Sequence, residues 1–297
     1  MNLLSVVIPH YGAPEPTLAL VNQLTDQAGP LRLEIIVSDD CSPVPFPPSG
    51  AYKLVRRTEN GGFGSAVNSG AAVATGDYLL ILNSDLEIDP TFISSLIDAS
   101  APWQPAVTAP RVVTPAGRVD HTARSWPSIA NQTLEWLTPL ARWHQRVWFQ
   151  RLLGHNPRTL TTTQPVEVDW LVGAAFLVPT ADFRAVGGMD ESFHMNSEEI
   201  DLQRRLAARG LKRVYLPAVS VVHEGGGSSD PAKRRCWLVT SQLRYAEKWG
   251  GLRRLRVALT VATFINFAWN SIRRLRGIDV QPLTVAREEL SLVWTRI

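Results

Sequence analysis

Three groups of polar residues, far apart in the chain, have the types and settings that chemistry needs. Asn83-Ser84-Asp85 closes an apolar run, Tyr78–Leu82, that reads as a strand covered on both faces. A carboxylate at the C-terminal edge of such a strand stands where open α/β sheets bind ligands. Glu198-Glu199-Ile200-Asp201 opens a predicted helix running to Gly210, with Ser197 as its expected N-cap. Three carboxylates in a first turn also suit the helix dipole, so this cluster has a structural reading beside a chemical one. His223 ends an apolar strand pattern over residues 219–222 and is followed by Glu224 and Gly225-Gly226-Gly227-Ser228-Ser229, the composition of a loop able to close over a ligand.

Ahead of Asp85 lies Asn60-Gly61-Gly62-Phe63-Gly64, a turn crowded with glycine, then a small-residue helix pattern over residues 64–74 that contains Asn68. A dinucleotide fingerprint would need glycine at the sixth place of Gly62-Phe63-Gly64-Ser65-Ala66-Val67, and Val67 stands there. A Walker-type phosphate loop would need Gly-Lys-Ser/Thr, which is absent. The remaining reading is a carboxylate that holds a divalent metal on a nucleotide diphosphate while the glycine turn lets backbone pass close to that ligand.

The elements that must position these residues follow a βα rhythm. Residues 5–9 and 33–37 are continuous apolar runs separated by a helical pattern over residues 15–24, which implies a parallel pair with a right-handed crossover. The first run exits on Pro9-His10-Tyr11 and the second on Ser38-Asp39-Asp40, so two more acids reach the same sheet edge, where the alternative reading is a capped turn. Pro43, Pro45, Pro47 and Pro48 then enforce a loop. Further strands are expected at residues 52–56, 107–113 and 167–178, with Gly173-Ala174 leaving room beside the last of them, and a capped helix at residues 91–99. Residues 118–168 interrupt the rhythm. Trp126, Trp136, Trp143 and Trp148 alternate with Arg124, Arg142, Arg146 and Arg151, either as helical core or as a flap at a membrane interface.

At 297 residues with 45% apolar content the chain suits a folded α/β protein and not a disordered one. Cys41 and Cys236 match no metal spacing and no disulfide framework, which suits a reducing cytosol, and the start of the chain lacks the pattern of a secretory signal. The net charge of +3 hides a split: residues 230–297 carry 13 Lys and Arg against 5 Asp and Glu, while residues 1–229 carry 17 against 22. A basic tail suits nucleic acid or an anionic membrane.

Taken in order, these pieces resemble the family 2 glycosyltransferases of the GT-A fold, and the resemblance covers residues 4 to 227. It implies a Rossmann-like nucleotide-binding sheet joined to a mixed-sheet acceptor half, spanning residues 1–229 and including the 118–168 insertion, plus C-terminal helices over 230–297. By that resemblance Asp39 contacts the pyrimidine base or ribose, Pro9, His10 and Tyr11 flank the ring, and Asp40, Asn60, Gly62, Phe63, Gly64, Asn68, Asn83 and Ser84 line the donor. Gly173 and Ala174 match a small pair near the acceptor and the donor sugar. Phe183-Arg184-Ala185-Val186-Gly187-Gly188-Met189-Asp190-Glu191 resembles the family's Val-Gly-Gly-Phe-Asp-Glu segment with Met189 in place of Phe.

Asp85 and His223 correspond to the contacts of a Mg2+ or Mn2+ ion. Asn83 replaces the first acid of the family's Asp-x-Asp, so the ion is expected to arrive with the donor. Glu198-Glu199-Ile200-Asp201 resembles Glu-Asp-x-Asp, which makes Glu199 the general base, Glu198 the reserve candidate, and Asp201 the residue that orients the helix. Within the family, the proportions, the insertion and the basic tail look most like bacterial rhamnosyltransferases that use dTDP-L-rhamnose and a polyprenyl-diphosphate-linked or polysaccharide acceptor in cell-envelope synthesis. A UDP-sugar donor, a sugar nucleotidyltransferase and a non-catalytic membrane module are the alternatives.

In the tail, a helix is expected at Pro231–Trp249 and another at residues 252–276, where Arg253, Arg254 and Arg256 precede an apolar interval that Arg273, Arg274 and Arg276 close. As helix the interval is about 24 Å long, short of the roughly 30 Å of a bilayer core. It is expected to lie on a membrane surface, or else to pack as a hairpin with a solvated arginine face. The expected setting is cytoplasmic, peripheral to the inner membrane, with no nucleic acid partner and a homodimer left open.

Overall fold

A computed structural model of the chain describes residues 3–27, 31–225 and 230–297. In chain order the elements are β1 (Leu3–His10), α1 (Glu15–Thr25), β2 (Arg32–Asp39), β3 (Lys53–Arg56), α2 (Phe63–Val73), β4 (Tyr78–Leu82), β5 (Leu86–Glu87), α3 (Phe92–Ser100), β6 (Ala106–Val113) and β7 (Ala123–Arg124). Helices α4 (Ile129–Trp136) and α5 (Val147–Leu152) follow, then β8 (Val166–Glu167), β9 (Trp170–Leu171), β10 (Ala175–Pro179), α6 (Thr180–Ala185), α7 (Glu198–Ala208) and β11 (Lys212–His223). Three helices complete the chain: α8 (Pro231–Trp249), α9 (Leu252–Leu275) and α10 (Pro282–Val293).

The chain divides into two units, residues 1–124 with 158–229, and residues 125–157 with 230–297. In the first, the main sheet among the described residues runs β3-β2-β1-β4-β10-β6-β11-β5, with β8 also on β11. Strands β1 to β4 are parallel, and β10 enters antiparallel between β4 and β6. Because β1 lies between β2 and β4, the sheet reverses its winding there and opens a crevice at the strands' C-terminal ends.

Alternate residues of one strand serve opposite faces, which is why these strands read as unbroken apolar runs. Leu4, Val6 and Ile8 of β1 join Leu80 and Leu82 of β4 under α1 and α3, where Leu20, Leu24, Phe92 and Leu96 complete one core. Val7, Leu79, Ile81, Phe176 and Val178 face the other way, onto Val67 and Ala71 of α2 and Leu202 and Leu206 of α7. Gly70 allows α2 to sit this close, since a Cβ there would lie 2.6 Å from Val7 Cγ1.

Three expectations change on this scaffold. The strand expected at residues 167–178 is broken into β8, β9 and β10, because β9 leaves the main sheet to pair with β7. The last strand, expected over residues 219–223, begins at Lys212 and runs beside β6 with a register shift between Leu216 and Ser220. Ser197 precedes α7 in a left-handed conformation, φ 68°, and makes no side-chain cap.

The second unit joins part of the aromatic insertion to the basic tail. Leu255 and Leu259 of α9 pack with Val239 and Leu243 of α8, Val293 of α10, and the partly buried Ile129 and Trp136 of α4. Trp136 Nε1 donates to Thr263 Oγ1 at 2.9 Å, and Arg235 lies over its ring. Trp136 therefore packs against the core of this unit, whereas Trp148 stays 52% exposed beside Trp143 and Phe149.

Candidate active site

Strand β4 delivers Asn83, Ser84 and Asp85 to the open edge, all half-buried. Asn83 N donates to Ala174 O at 2.8 Å, and Ala175 pairs with Leu82, so Gly173 and Ala174 lie against the exit of β4. Gly173 lies close under Glu199: a Cβ would meet Glu199 Cβ and Cγ at 3.3 Å, so the glutamate would have to give by a few tenths of an ångström. The Glu199 side chain thus crosses directly over Gly173, next to the strand end that carries Asn83. Antiparallel β5 and β11 pair His223 with Leu86, which brings His223 Nε2 to 3.1 Å from Asp85 Oδ1 and 3.3 Å from Asn83 Nδ2. Residues 83, 85, 173, 199 and 223 meet at one end of the sheet.

The two poles of this cluster differ electrically. Burial disfavours the charged forms of both Asp85 and His223, but each is the other's counter-charge and hydrogen-bond partner, so Asp85 is held below and His223 above its ordinary value. Asp120, in the loop ahead of β7, adds to the upward pull on His223. At the other pole burial pushes Glu198 well above the carboxylate range, with the charge of Glu199 adding to it. Burial raises Glu199 too, against the pull of Arg124 and backbone N–H groups. Arg124 is fixed by its ring contact with Trp170, its strand partner, and by donating from Nε to His121 O at 3.1 Å.

Helix α7 is aimed by residues that do no chemistry. Gln203, fully buried, exchanges two hydrogen bonds with the backbone of Leu171 at 2.7 and 2.8 Å. Asp201, also fully buried, receives Arg205 Nε at 2.8 Å, and Arg205 in turn donates to Val186 O and Gly188 O. Asp201 is thus engaged with Arg205 within the scaffold of α7.

The donor-side residues separate into scaffold and surface. Asp40 accepts from Gly61 N and Gly62 N at 3.0 and 2.7 Å and from Arg57 Nε at 2.8 Å, so its oxygens build the glycine turn. Gly62 is at φ 87°, and a Cβ there would fall 1.7 Å from His194 O. No side chain fits. Gly64 lies against Met189 and Glu198, and Phe63 N donates to His194 O at 3.3 Å. Asn68 is occupied by Met189 N, Met189 O and Glu191 Oε1, which ties α2 to the Gly187-Gly188 turn and makes it a structural residue.

Asp39 is fully buried and accepts from Ser42 N at 2.8 Å, Phe46 N at 3.1 Å and Arg56. Burial raises its pKa, but those donors outweigh it and hold the group below the usual range. Its oxygens shape the proline loop. His10, buried beside Phe46 with Nδ1 2.8 Å from Thr17 Oγ1, is kept toward neutrality by its burial. Pro9 is buried, whereas Tyr11, at 54% exposure, and Asn60 remain open to solvent. Of the expected loop at residues 225–229, only Gly225 belongs to the described residues; 226–229 lie outside them.

Sequence reasoning missed Arg124, Asp120, Gln203 and Arg57. Arg124 had a visible signal, an arginine amid tryptophans, but its neighbours were read as an insertion. Its partners Trp170 and Glu199 are 46 and 75 positions away, so no local pattern connects them.

A sheet with its winding reversal, a glycine turn and an acid-imidazole strand edge define an α/β protein whose open sheet edge is built to take a ligand. Residues 5–153 match Glycosyl transferase family 2, and the chain belongs to that family. It is 31% identical over 195 residues to N-acetylglucosaminyl-diphospho-decaprenol L-rhamnosyltransferase of Mycobacterium tuberculosis, a match covering 61% of this chain and 62% of that one. It is 36% identical over 80 residues to rhamnosyltransferase WbbL of Escherichia coli, covering 26% and 30%. The chain thus spans less than two thirds of these relatives' lengths. The crystal structure of GalNAc-T7 with UDP, GalNAc and Mn2+ superposes with a TM-score of 0.57 at 16% identity, over 87% of this chain and 54% of that one. S. aureus TarS superposes with a TM-score of 0.51 at 14% identity, over 90% and 44%. These likenesses show the GT-A fold.

Proposed function

We propose that the protein is an inverting, divalent-metal-dependent glycosyltransferase that moves a sugar, L-rhamnose from dTDP-L-rhamnose, onto a hydroxyl of a lipid-linked saccharide or polysaccharide precursor of the cell envelope. The observation that carries this reading is the meeting of Asp85 and His223 with Glu199 at one sheet edge, across the Asn83–Ala174 hydrogen bond. Rhamnosyltransferases among the relatives, one of them named for a decaprenol-linked acceptor, support the choice of sugar and acceptor class.

The residues fit a bound Mg2+ or Mn2+. Among the described residues no three His, Cys, Asp or Glu side chains form a metal cluster. A carboxylate, an imidazole and a carboxamide do converge, and a hard cation held by so few protein ligands takes the rest from phosphate oxygens and water. Asp85 and His223 would hold it. When bound, such an ion offsets the negative charge that develops on the departing diphosphate.

The chain's own residues supply the rest. The turn at residues 61–64, fixed by Asp40, leaves backbone and not side chains beside the donor. Glu199, bare of a side-chain neighbour at Gly173, takes the proton of the acceptor hydroxyl as its oxygen bonds to the anomeric carbon and the sugar–phosphate bond breaks on the opposite side. Burial and the charge of Glu199 push Glu198 up further than Glu199, on which Arg124 pulls the other way, so Glu199 is the better placed of the two to take a proton. A lipid-linked acceptor places the enzyme on the cytoplasmic face of the membrane as a peripheral protein. Release of nucleoside diphosphate from dTDP- and UDP-sugars, with and without Mn2+, tests the proposal: metal-dependent hydrolysis of dTDP-L-rhamnose supports it, preference for a UDP-sugar moves the donor assignment, and no release from any donor refutes it.

A further inference from the structure

Helix α9 carries two apolar faces, and the core of its unit uses one. Leu255, Leu259 and Ala262 are buried, together with Thr263, Asn266 and Asn270, whose polar groups are fastened within the unit: Asn266 binds Trp136 O, Thr138 and the buried Glu289. The opposite face is open. Val257, Val261, Phe264, Ile265, Ile272 and Leu275 are each between 44% and 89% exposed. At about 100° per residue their positions fall within a stripe roughly 100° wide, running some 27 Å from residue 257 to residue 275. Isolated exposed apolar residues need no explanation, but six aligned on one helix do.

The ends of the stripe are basic. Arg253 and Arg254 sit one turn before Val257, Arg276 follows Leu275, all three are exposed, and the same projection places Arg253 and Arg276 at the stripe's borders and Arg254 in line with it. No Asp or Glu occurs between residues 252 and 275. A second copy of the chain is a poor occupant, because pairing two such helices side by side, parallel or antiparallel, sets arginines against arginines at both ends. An anionic lipid surface meets both demands at once: acyl chains under the stripe and phosphates at its ends. No helix among the described residues is long and apolar enough to cross a membrane.

We propose that the outer face of α9 lies in the plane of an anionic membrane, with residues 257–275 in contact with acyl chains and Arg253, Arg254 and Arg276 on lipid phosphates. This deepens the peripheral-membrane part of the function proposed above and rests on it, while standing apart from the chemistry of the sheet edge. The test is co-sedimentation of the full chain with vesicles of phosphatidylcholine alone or with about one third phosphatidylglycerol. Binding is expected only to the anionic vesicles and should fall as salt rises.

Val261→Asp with Phe264→Asp should lower binding at least about tenfold, and Arg253→Glu with Arg254→Glu about fivefold or more per site. Because these side chains already face water, melting curves should stay close to the parent; if the aspartate pair melts early, the arginine pair still decides. Parent-like binding by both pairs overturns the proposal. So does a parent dimer, seen by ultracentrifugation, that the aspartate pair splits while vesicle binding is unchanged. Hydrolysis of the soluble donor, measured in parallel, separates the two claims: vesicle binding without hydrolysis sinks the transferase assignment alone, and hydrolysis without vesicle binding sinks this one alone.

Discussion

Glu199→Gln should cut donor turnover about 10²–10⁴-fold, the usual worth of a general base, while leaving the affinity for nucleoside diphosphate nearly intact. Glu198→Gln should cost only a few-fold at neutral pH. The difference comes from the surroundings of the two carboxyls. Both are raised by burial, but Glu198, 3% exposed, is also pushed up by its neighbour's charge, whereas Glu199 is pulled down by Arg124. The pair therefore gives up its first proton largely from Glu199, and an amide at 198 resembles the neutral acid it replaces. Turnover should rise with pH through an acid limb above the ordinary glutamate range and then level. Arg124→Gln removes the opposing cation and should move that limb upward by about one unit. The assay is pre-steady-state and steady-state release of nucleoside diphosphate between pH 5 and 9, with melting curves for each variant. A turnover in Glu199→Gln within threefold of the parent, or a larger loss in Glu198→Gln than in Glu199→Gln, would refute the assignment of the base.

Four other outcomes follow from the geometry. Gly62→Ala should destabilise by about 2–4 kcal/mol and weaken donor binding, because its methyl would sit 1.7 Å from His194 O; chemical denaturation and calorimetry read both effects. Chelation should abolish donor hydrolysis, and Asp85→Asn should raise the Mn2+ needed for half-maximal rate on the order of tenfold. His223 has its pKa raised by Asp85, so its share of metal-free stability is present below about 6.5 and is lost as pH climbs through the raised value; Mn2+ affinity should strengthen over that same climb, since only the neutral ring binds the ion. Glu34, which joins Ser5, Lys53 and Thr75 at the sheet's opposite end, is lowered to about 2. Its contribution is present above about 4.5 and lost as pH falls toward 2, so Glu34→Gln should lower stability at pH 7 by ~1–2 kcal/mol and flatten the acid limb of the melting profile.

Local order was legible in the chain because it is written in neighbouring residues. Unbroken apolar runs such as Tyr78–Leu82 announce strands buried on both faces, and the acids or amides after them must then reach the sheet's edge. Pro231–Trp249 could be read to the residue, since Asp230 caps it and Gly250 ends it. What the amino acids alone determined was thus which elements form and which polar groups arrive at one edge.

Only the tertiary structure decided what each of those groups does there. Asp39, Asp40 and Asn68 look like ligand contacts by type and place, and the structure gives each a further task that type and place do not show: they accept backbone N–H groups of Phe46, Gly62 and Met189, 7, 22 and 121 positions away. Arg124 joins the site, and residues 125–157 join the tail, through pairings across 46 to more than 100 positions that leave no periodic trace. A hydrogen bond or charge contact depends on which surfaces the sheet brings together, and that follows from packing the whole chain.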